Sequence, residues 1–217
     1  KQALALYPNS PDAYVILAEE ANTLDEANDL FFQGKIAGEM DLGEKFFQEN
    51  RGHFWGLVET RPYMRAMQGY AESCAELGSK DLAADIYREM LDLNPNDNQG
   101  IRYSLLKILL ETKEYDEVAE LMDEYPEPTA NMTYNRAYLS YVMEGWTEKT
   151  EKLLKKAVEQ NPHVPDYILG KKQIPGLMPE YVGMGDENEA IDYAQNHVHL
   201  WRGMELMRRL WEVVEGE

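Results

Sequence analysis

The stretch Glu76-Leu77-Gly78-Ser79-Lys80-Asp81-Leu82-Ala83-Ala84-Asp85-Ile86-Tyr87 reads as the bend and second arm of a helix hairpin. Gly78 supplies a helix-ending turn. Ala83 permits close approach of the preceding helix, and Tyr87, one turn later, fills the groove beside that crossing. Outward from this stretch, Ala71 lies 12 residues before Ala83, and Pro95 lies 8 after Tyr87. The proline closes the pair because it cannot continue a helix. The same steps of 12, 4 and 8 recur at Tyr138, Thr150, Leu154 and Pro162, 67 residues further on. Between the two sets, Leu106, Val118 and Met122 repeat the steps of 12 and 4. A spacing of 67 is close to twice a ~34-residue helix-pair period. Three successive units in an all-α fold are predicted.

Several offsets agree at once, and the pattern resembles the tetratricopeptide repeat. The resemblance implies a helical-repeat solenoid, an α-α superhelix whose first helices line a concave face. Residues 1–37 read as N-terminal partial repeats: Pro8 ends a helix, Tyr14, Leu17, Ala18 and Ala21 make an apolar stripe, and Ala27 and Phe31 follow after a shortened turn. Residues 38–61 read as a helical or irregular insertion that packs Phe46, Phe47, Phe54 and Trp55 back on the stack. The three repeats occupy 62–162, and a Pro/Gly-rich loop fills 163–186. Asp186 and Glu189 fit a capping box, with Asp in place of the usual Ser or Thr. From there Ala190, Ala194, Val198, Trp201, Met204, Met207, Trp211 and Val214 step by 3 or 4. This predicts one long C-terminal capping helix over 187–215, which covers the open end of the stack or pairs with its copy in a homodimer.

Composition excludes several classes of function. The 217 residues carry 40 Asp and Glu against 21 Lys and Arg, a net charge of −19. Nucleic-acid affinity comes from Lys and Arg displacing counterions, so no nucleic-acid partner is expected, and anionic membranes are disfavoured. No apolar run reaches the ~20 residues that span a bilayer. One cysteine leaves no internal disulfide, which suits a reducing, cytoplasmic setting. The chain opens at Lys1 inside a helical pattern, so the reading expects a truncated N-terminus and leaves a targeting segment open.

Beyond the repeat, three segments carry a narrower resemblance: Gly52 to Ala66, Asn94 to Tyr103 and Asn161 to Pro165. Their wording resembles the suppressor-of-tumorigenicity-seven family and its bacterial relatives, over about residues 52 to 195. What this implies is a tetratricopeptide-like protein with no established catalytic residues to transfer.

Chemistry-bearing residues read mostly as structure. Cys74 sits on the stripe of a first helix with no base nearby in sequence, the setting of a core cysteine. His197 and His199 are two apart and point to different sides of a helix, and His53 and His163 stand alone, so no metal set is predicted. Asn94, Asn96, Asn98 and Gly100 lack the carboxylates of a calcium loop, and Leu105 stands where its bidentate Glu belongs; Asn and Asp oxygens there cap a helix instead. Gly183-Met184-Gly185 follows no strand and is no nucleotide loop. No cofactor and no enzyme activity are expected.

One group stands out. The first helices carry Arg61, Arg65, Gln68, Arg102, Tyr103, Lys107, Asn135 and Arg136, a local excess of bases in an acidic chain, with Tyr63, Tyr134, Tyr138 and Tyr141 adding aromatic area. Such a face suits a protein or peptide partner, an acidic or C-terminal segment in particular, held by two-pronged arginine hydrogen bonds. Pairing of the same bases with neighbouring Glu residues is the competing reading. The function expected is a non-catalytic binding scaffold. The alternatives are self-assembly through the last helix and an enzyme site in the irregular segments near Glu59, His163 and Lys171.

Overall fold

Every regular element among the described residues, 6–216, is helical in the computed structural model. Residues 1–5, where the expected N-terminal partial repeat opens, lie outside the described residues. The chain forms two units, residues 1–108 and 109–217.

In the first unit, α1 (Pro11–Glu19) and α2 (Leu24–Leu42) start at Ser10 and Thr23, whose hydroxyls accept the N–H of Ala13 and Glu26. Each satisfies an amide that the first helical turn leaves without a partner. After α3 (Glu44–Asn50) and two 3-10 turns (Phe54–Gly56 and Val58–Thr60) come α4 (Arg61–Glu76) and α5 (Lys80–Leu93). Helix α4 packs on α1, α2 and α5. Glycine makes the α2–α4 crossing close: a Cβ on Gly38 would stand 2.7 Å from a ring carbon of Tyr63, and one on Gly69 would overlap the Phe31 ring. Next come α6 (Ile101–Thr112), which begins in the first unit, and α7 (Tyr115–Glu124). The second unit continues with α8 (Ala130–Glu144), α9 (Glu148–Gln160), α10 (Val164–Ile168), α11 (Glu187–Trp201) and α12 (Glu205–Glu215). Here α8 packs on α9 and α11, and α10 on α11 and α12.

The spacing read from the sequence marks buried positions. Ala71, Ala83, Leu106, Val118, Met122, Thr150 and Leu154 are all fully buried, and Tyr87 and Tyr138 nearly so. Thr150, polar where Ala83 and Val118 are apolar, donates its hydroxyl to the Gly145 carbonyl at 2.9 Å and lies 2.9 Å from the Ser140 hydroxyl. A buried hydroxyl is tolerated because it is satisfied. Cys74 is buried, 3.3 Å from the Asn28 amide nitrogen.

Two expectations are corrected. Residue 38 does not open an insertion: α2 runs unbroken to Leu42, and Gly38 is one of its buried contacts. The aromatics beyond it do pack back, with Phe47 5.3 Å from Tyr63 edge to face and 4.9 Å from Phe54. Nor is 187–215 one helix. Arg202 leaves helical geometry with ψ 130°, and Gly203 takes φ +75°, ending α11 and re-aiming α12. The break rotates the inner face. Leu206 and Leu210 are buried, whereas Trp211 and Val214, expected inside, are 39% and 37% exposed.

Burial of tyrosine gives the fold an alkaline limit. Desolvation holds the phenols of Tyr63, Tyr87, Tyr134 and Tyr193 well above their ordinary range and pushes Tyr138 up to about 12. The folded state thus keeps protons that the unfolded chain releases. Their contribution to stability is complete below the ordinary phenol pKa of 10.0 and is lost as pH rises through the folded values. In an alkaline titration, phenolate absorbance of these tyrosines is expected to appear together with the loss of helical circular dichroism. Gradual ionisation of all 14 tyrosines with helicity intact would contradict this.

Candidate functional site

The side chains expected to face a partner fall in both units. In the first, Arg61, Arg65 and Gln68 follow one another along a face of α4, and Glu72 continues the row. Pro62 in the first turn of α4 spares an amide that has no partner at a helix start. Each base on this face is engaged. The Arg61 Nε donates to the Trp55 carbonyl at 3.1 Å, with the guanidinium 5.5 Å from the Trp55 ring centre. Arg65 pairs with Asp12 of α1 at 2.5 Å. Gln68 donates to Glu72 at 2.8 Å and accepts from Gln99 at 2.8 Å. Desolvation raises the Glu72 carboxyl above its usual range, with the Gln68 bond opposing it.

The start of α6 is built on Asp97. Its carboxylate accepts the N–H groups of Ile101 and Arg102 at 2.7 and 2.9 Å, and the Arg102 guanidinium at 2.7 Å. Asp97 sits at φ +43°, a left-handed conformation that Asp tolerates better than most side chains. The helix-capping reading of this segment holds, and the capping residue is Asp97. Arg102 then lies over Tyr103, 4.3 Å from its ring centre, and donates to the Tyr103 hydroxyl at 3.1 Å. Arg102 is therefore a positioned part of the helix start, and Lys107 of the same helix is likewise engaged. Asp97→Ala is expected to cost about 2 kcal/mol by removing the cap and leaving Arg102 without its carboxylate. Asp97→Asn, which keeps an acceptor and tolerates the backbone, should cost less than half as much. Urea denaturation of the two variants checks this; equal losses would contradict it.

In the second unit Arg136 donates to the Met122 carbonyl at 2.6 Å and to Asp123 at 2.7 Å. Asn135 is a correction: it is fully buried and is not a surface contact. Its Oδ1 accepts from the Tyr193 hydroxyl at 3.0 Å, and that hydroxyl accepts from the Trp201 indole at 3.0 Å. Buried His197 lies 2.8 Å from Asn131 Oδ1 and 3.4 Å from the Asn135 amide nitrogen. His199, two residues on, is exposed and 3.2 Å from Glu111. Tyr134, expected to add aromatic surface, is buried, with its hydroxyl donating to the Asn161 carbonyl at 2.8 Å, and Tyr63 is buried too. No group of three or more His, Cys, Asp or Glu among the described residues has the arrangement of a metal site.

One residue carries more than its spacing suggested. Glu189, expected only as the third member of a capping box, is 4% exposed. Asp186 accepts its N–H at 2.8 Å, as the capping box requires. Its own carboxylate accepts the Ala130 N–H at 2.9 Å, the Asn161 side-chain amide at 2.9 Å and the Gly185 N–H at 2.8 Å. One buried carboxylate thus satisfies the start of α8, the end of α9 and the entry to α11. Only the capping box was visible in the sequence, because the other donors come from segments up to 59 residues away.

Together these features define, over the described residues, an all-helical protein in which the polar side chains of α4, α6 and α8 are tied into local networks and two deep polar clusters. The chain matches the family model for the ST7 protein over residues 1–215, and it belongs to that family. It is 30% identical over 239 aligned residues to the human suppressor of tumorigenicity 7 protein-like, covering 97% of this chain and 41% of the relative. It is 27% identical over 237 residues to the suppressor of tumorigenicity 7 protein of Macaca fascicularis, covering 96% of this chain and 44% of that protein. The chain therefore spans less than half the length of these curated relatives. No helix among the described residues is long and apolar enough to cross a membrane.

Proposed function

We propose that this chain is a non-catalytic scaffold of tetratricopeptide-like helix pairs that binds a protein or peptide segment along the first-helix face of its first unit. The observation that carries this reading is the arrangement on α4 and α6. Arg65, Gln68 and Glu72 form one row, Gln99 is bonded to Gln68, and the Arg102 guanidinium lies over the Tyr103 ring. Side chains ordered in this way lose little further entropy when a partner binds. Because Asp12 and Asp97 already offset Arg65 and Arg102, recognition rests on hydrogen bonds and aromatic area more than on net charge. The setting proposed is cytoplasmic, without nucleic acid or cofactor.

The burial of Ala71, Ala83, Leu106, Val118, Met122, Thr150 and Leu154 supports the repeat reading, which expects paired helices to cross at such positions. The test is affinity capture with wild type and an Arg65→Ala/Gln68→Ala variant, both of which leave the Asp97 cap intact. A partner retained by wild type and lost at least about tenfold (1.4 kcal/mol) by the variant is the expected result. Equal retention would remove the face from the account.

Self-association is the second reading, favoured by Trp211 and Val214 on the outer side of α12. Light scattering that finds only monomer at high micromolar concentration would dismiss it.

A further inference from the structure

The second unit holds a recess of about 90 Å³ that the reading above does not use. Its apolar walls are Pro126, Pro128, Met132 and Leu153, and Arg136 and Lys156 stand at its rim. Met132 and Arg136 are a turn apart on α8, and Leu153 and Lys156 are three apart on α9, so the spacing of each helix aims an apolar and a basic residue at the same spot. Arg136 is held in place by Asp123 and the Met122 carbonyl. Lys156 has no acidic partner within salt-bridge distance among the described residues, whereas its neighbours Lys152 and Lys155 pair with Glu148 and Glu151. Glu127 also lines the recess; it is engaged, but its Oε2 is buried and makes no hydrogen bond.

We infer that this recess binds the C-terminal residue of a peptide, with an aliphatic side chain in the apolar pocket and the α-carboxylate on Lys156. Three observations select this occupant. The volume admits one branched aliphatic side chain and excludes a run of residues. An α-carboxylate brings the negative charge on the same residue as that side chain, which suits a single small pocket beside an ammonium that no acidic residue holds in a salt bridge. Finally, Pro126 and Pro128 have no N–H to offer a main chain passing across the recess, so an internal segment would lose hydrogen bonds to water without replacement. This goes beyond the binding face of the first unit and stands or falls independently of it.

The test is methyl NMR on the full chain with 13C-methyl methionine, the Met132 signal being assigned by Met132→Leu. The probes are N-acetyl-leucine, N-acetyl-leucinamide and N-acetylglycine. N-acetyl-leucine is expected to shift the Met132 methyl saturably, and the amide and the glycine derivative to bind at least about tenfold more weakly (1.4 kcal/mol). Lys156→Ala, an exposed substitution, is expected to weaken N-acetyl-leucine by a similar factor and to leave the spectrum of the free protein otherwise unchanged. No shift at Met132 overturns the proposal. Equal binding of acid and amide, or unchanged affinity in Lys156→Ala, overturns the carboxylate assignment on which it depends.

Discussion

Replacing Glu189 with alanine is expected to destabilise the second unit by about 4 kcal/mol. The carboxylate is buried and accepts from Ala130, Asn161 and Gly185, and none of these donors gains a replacement when it is removed. A buried donor left without a partner bears its full desolvation cost; the Ala130 N–H is left so, the Asn161 amide keeps only its bond to the Asp186 carbonyl, and the half-buried Gly185 N–H loses its acceptor. Glu189→Gln keeps the shape but turns one acceptor into a donor that faces donors, so it should recover less than half of the loss. Urea denaturation read by tryptophan fluorescence suits the experiment, because Trp146, Trp201 and Trp211 all lie in this unit. A loss below about 1 kcal/mol in the alanine variant would show that the three donors find other partners.

Trp201→Ala is expected to cost a further large amount, about 3–5 kcal/mol, by opening a cavity under α11. The indole is fully buried, with ring centres 6.3 Å from Tyr134 and 6.2 Å from Tyr138. Its N–H also donates to the Tyr193 hydroxyl, the link that reaches Asn135. Trp201→Phe separates the two contributions. It keeps most of the apolar volume and loses the hydrogen bond, and should cost about 1–2 kcal/mol. Equal losses in the two variants would mean that the hydrogen bond, and not the packing, dominates this site.

The contrast between these residues shows what the sequence made legible. The helical character was readable, and Ala71, Ala83 and Tyr87, picked out by their fixed offsets, are buried. The C-terminal break was not readable from the apolar stripe, since Met204, Met207, Trp211 and Val214 continue the helical spacing across it. Gly203 was the one signal available, a residue that adopts the positive φ at little steric cost. The candidate face was legible as residue types but not as partners. Asp12 reaches Arg65 across 53 residues, and Tyr193 reaches Asn135 across 58, separations that no local spacing encodes. Asp97 and Arg102, five apart at a helix start, and Gln68 and Glu72, four apart on α4, were close enough in sequence for their pairing to be anticipated. The residues read as a set of bases are, once folded, a set of side chains already satisfied within the protein.

The most direct test of the scaffold account is site-specific photocrosslinking in cells, with a photoreactive residue at position 68 on α4 and, separately, at position 81 on α5. The account predicts a discrete crosslinked partner from position 68 and none from position 81. Equal products from both positions, or products from position 81 alone, would contradict it.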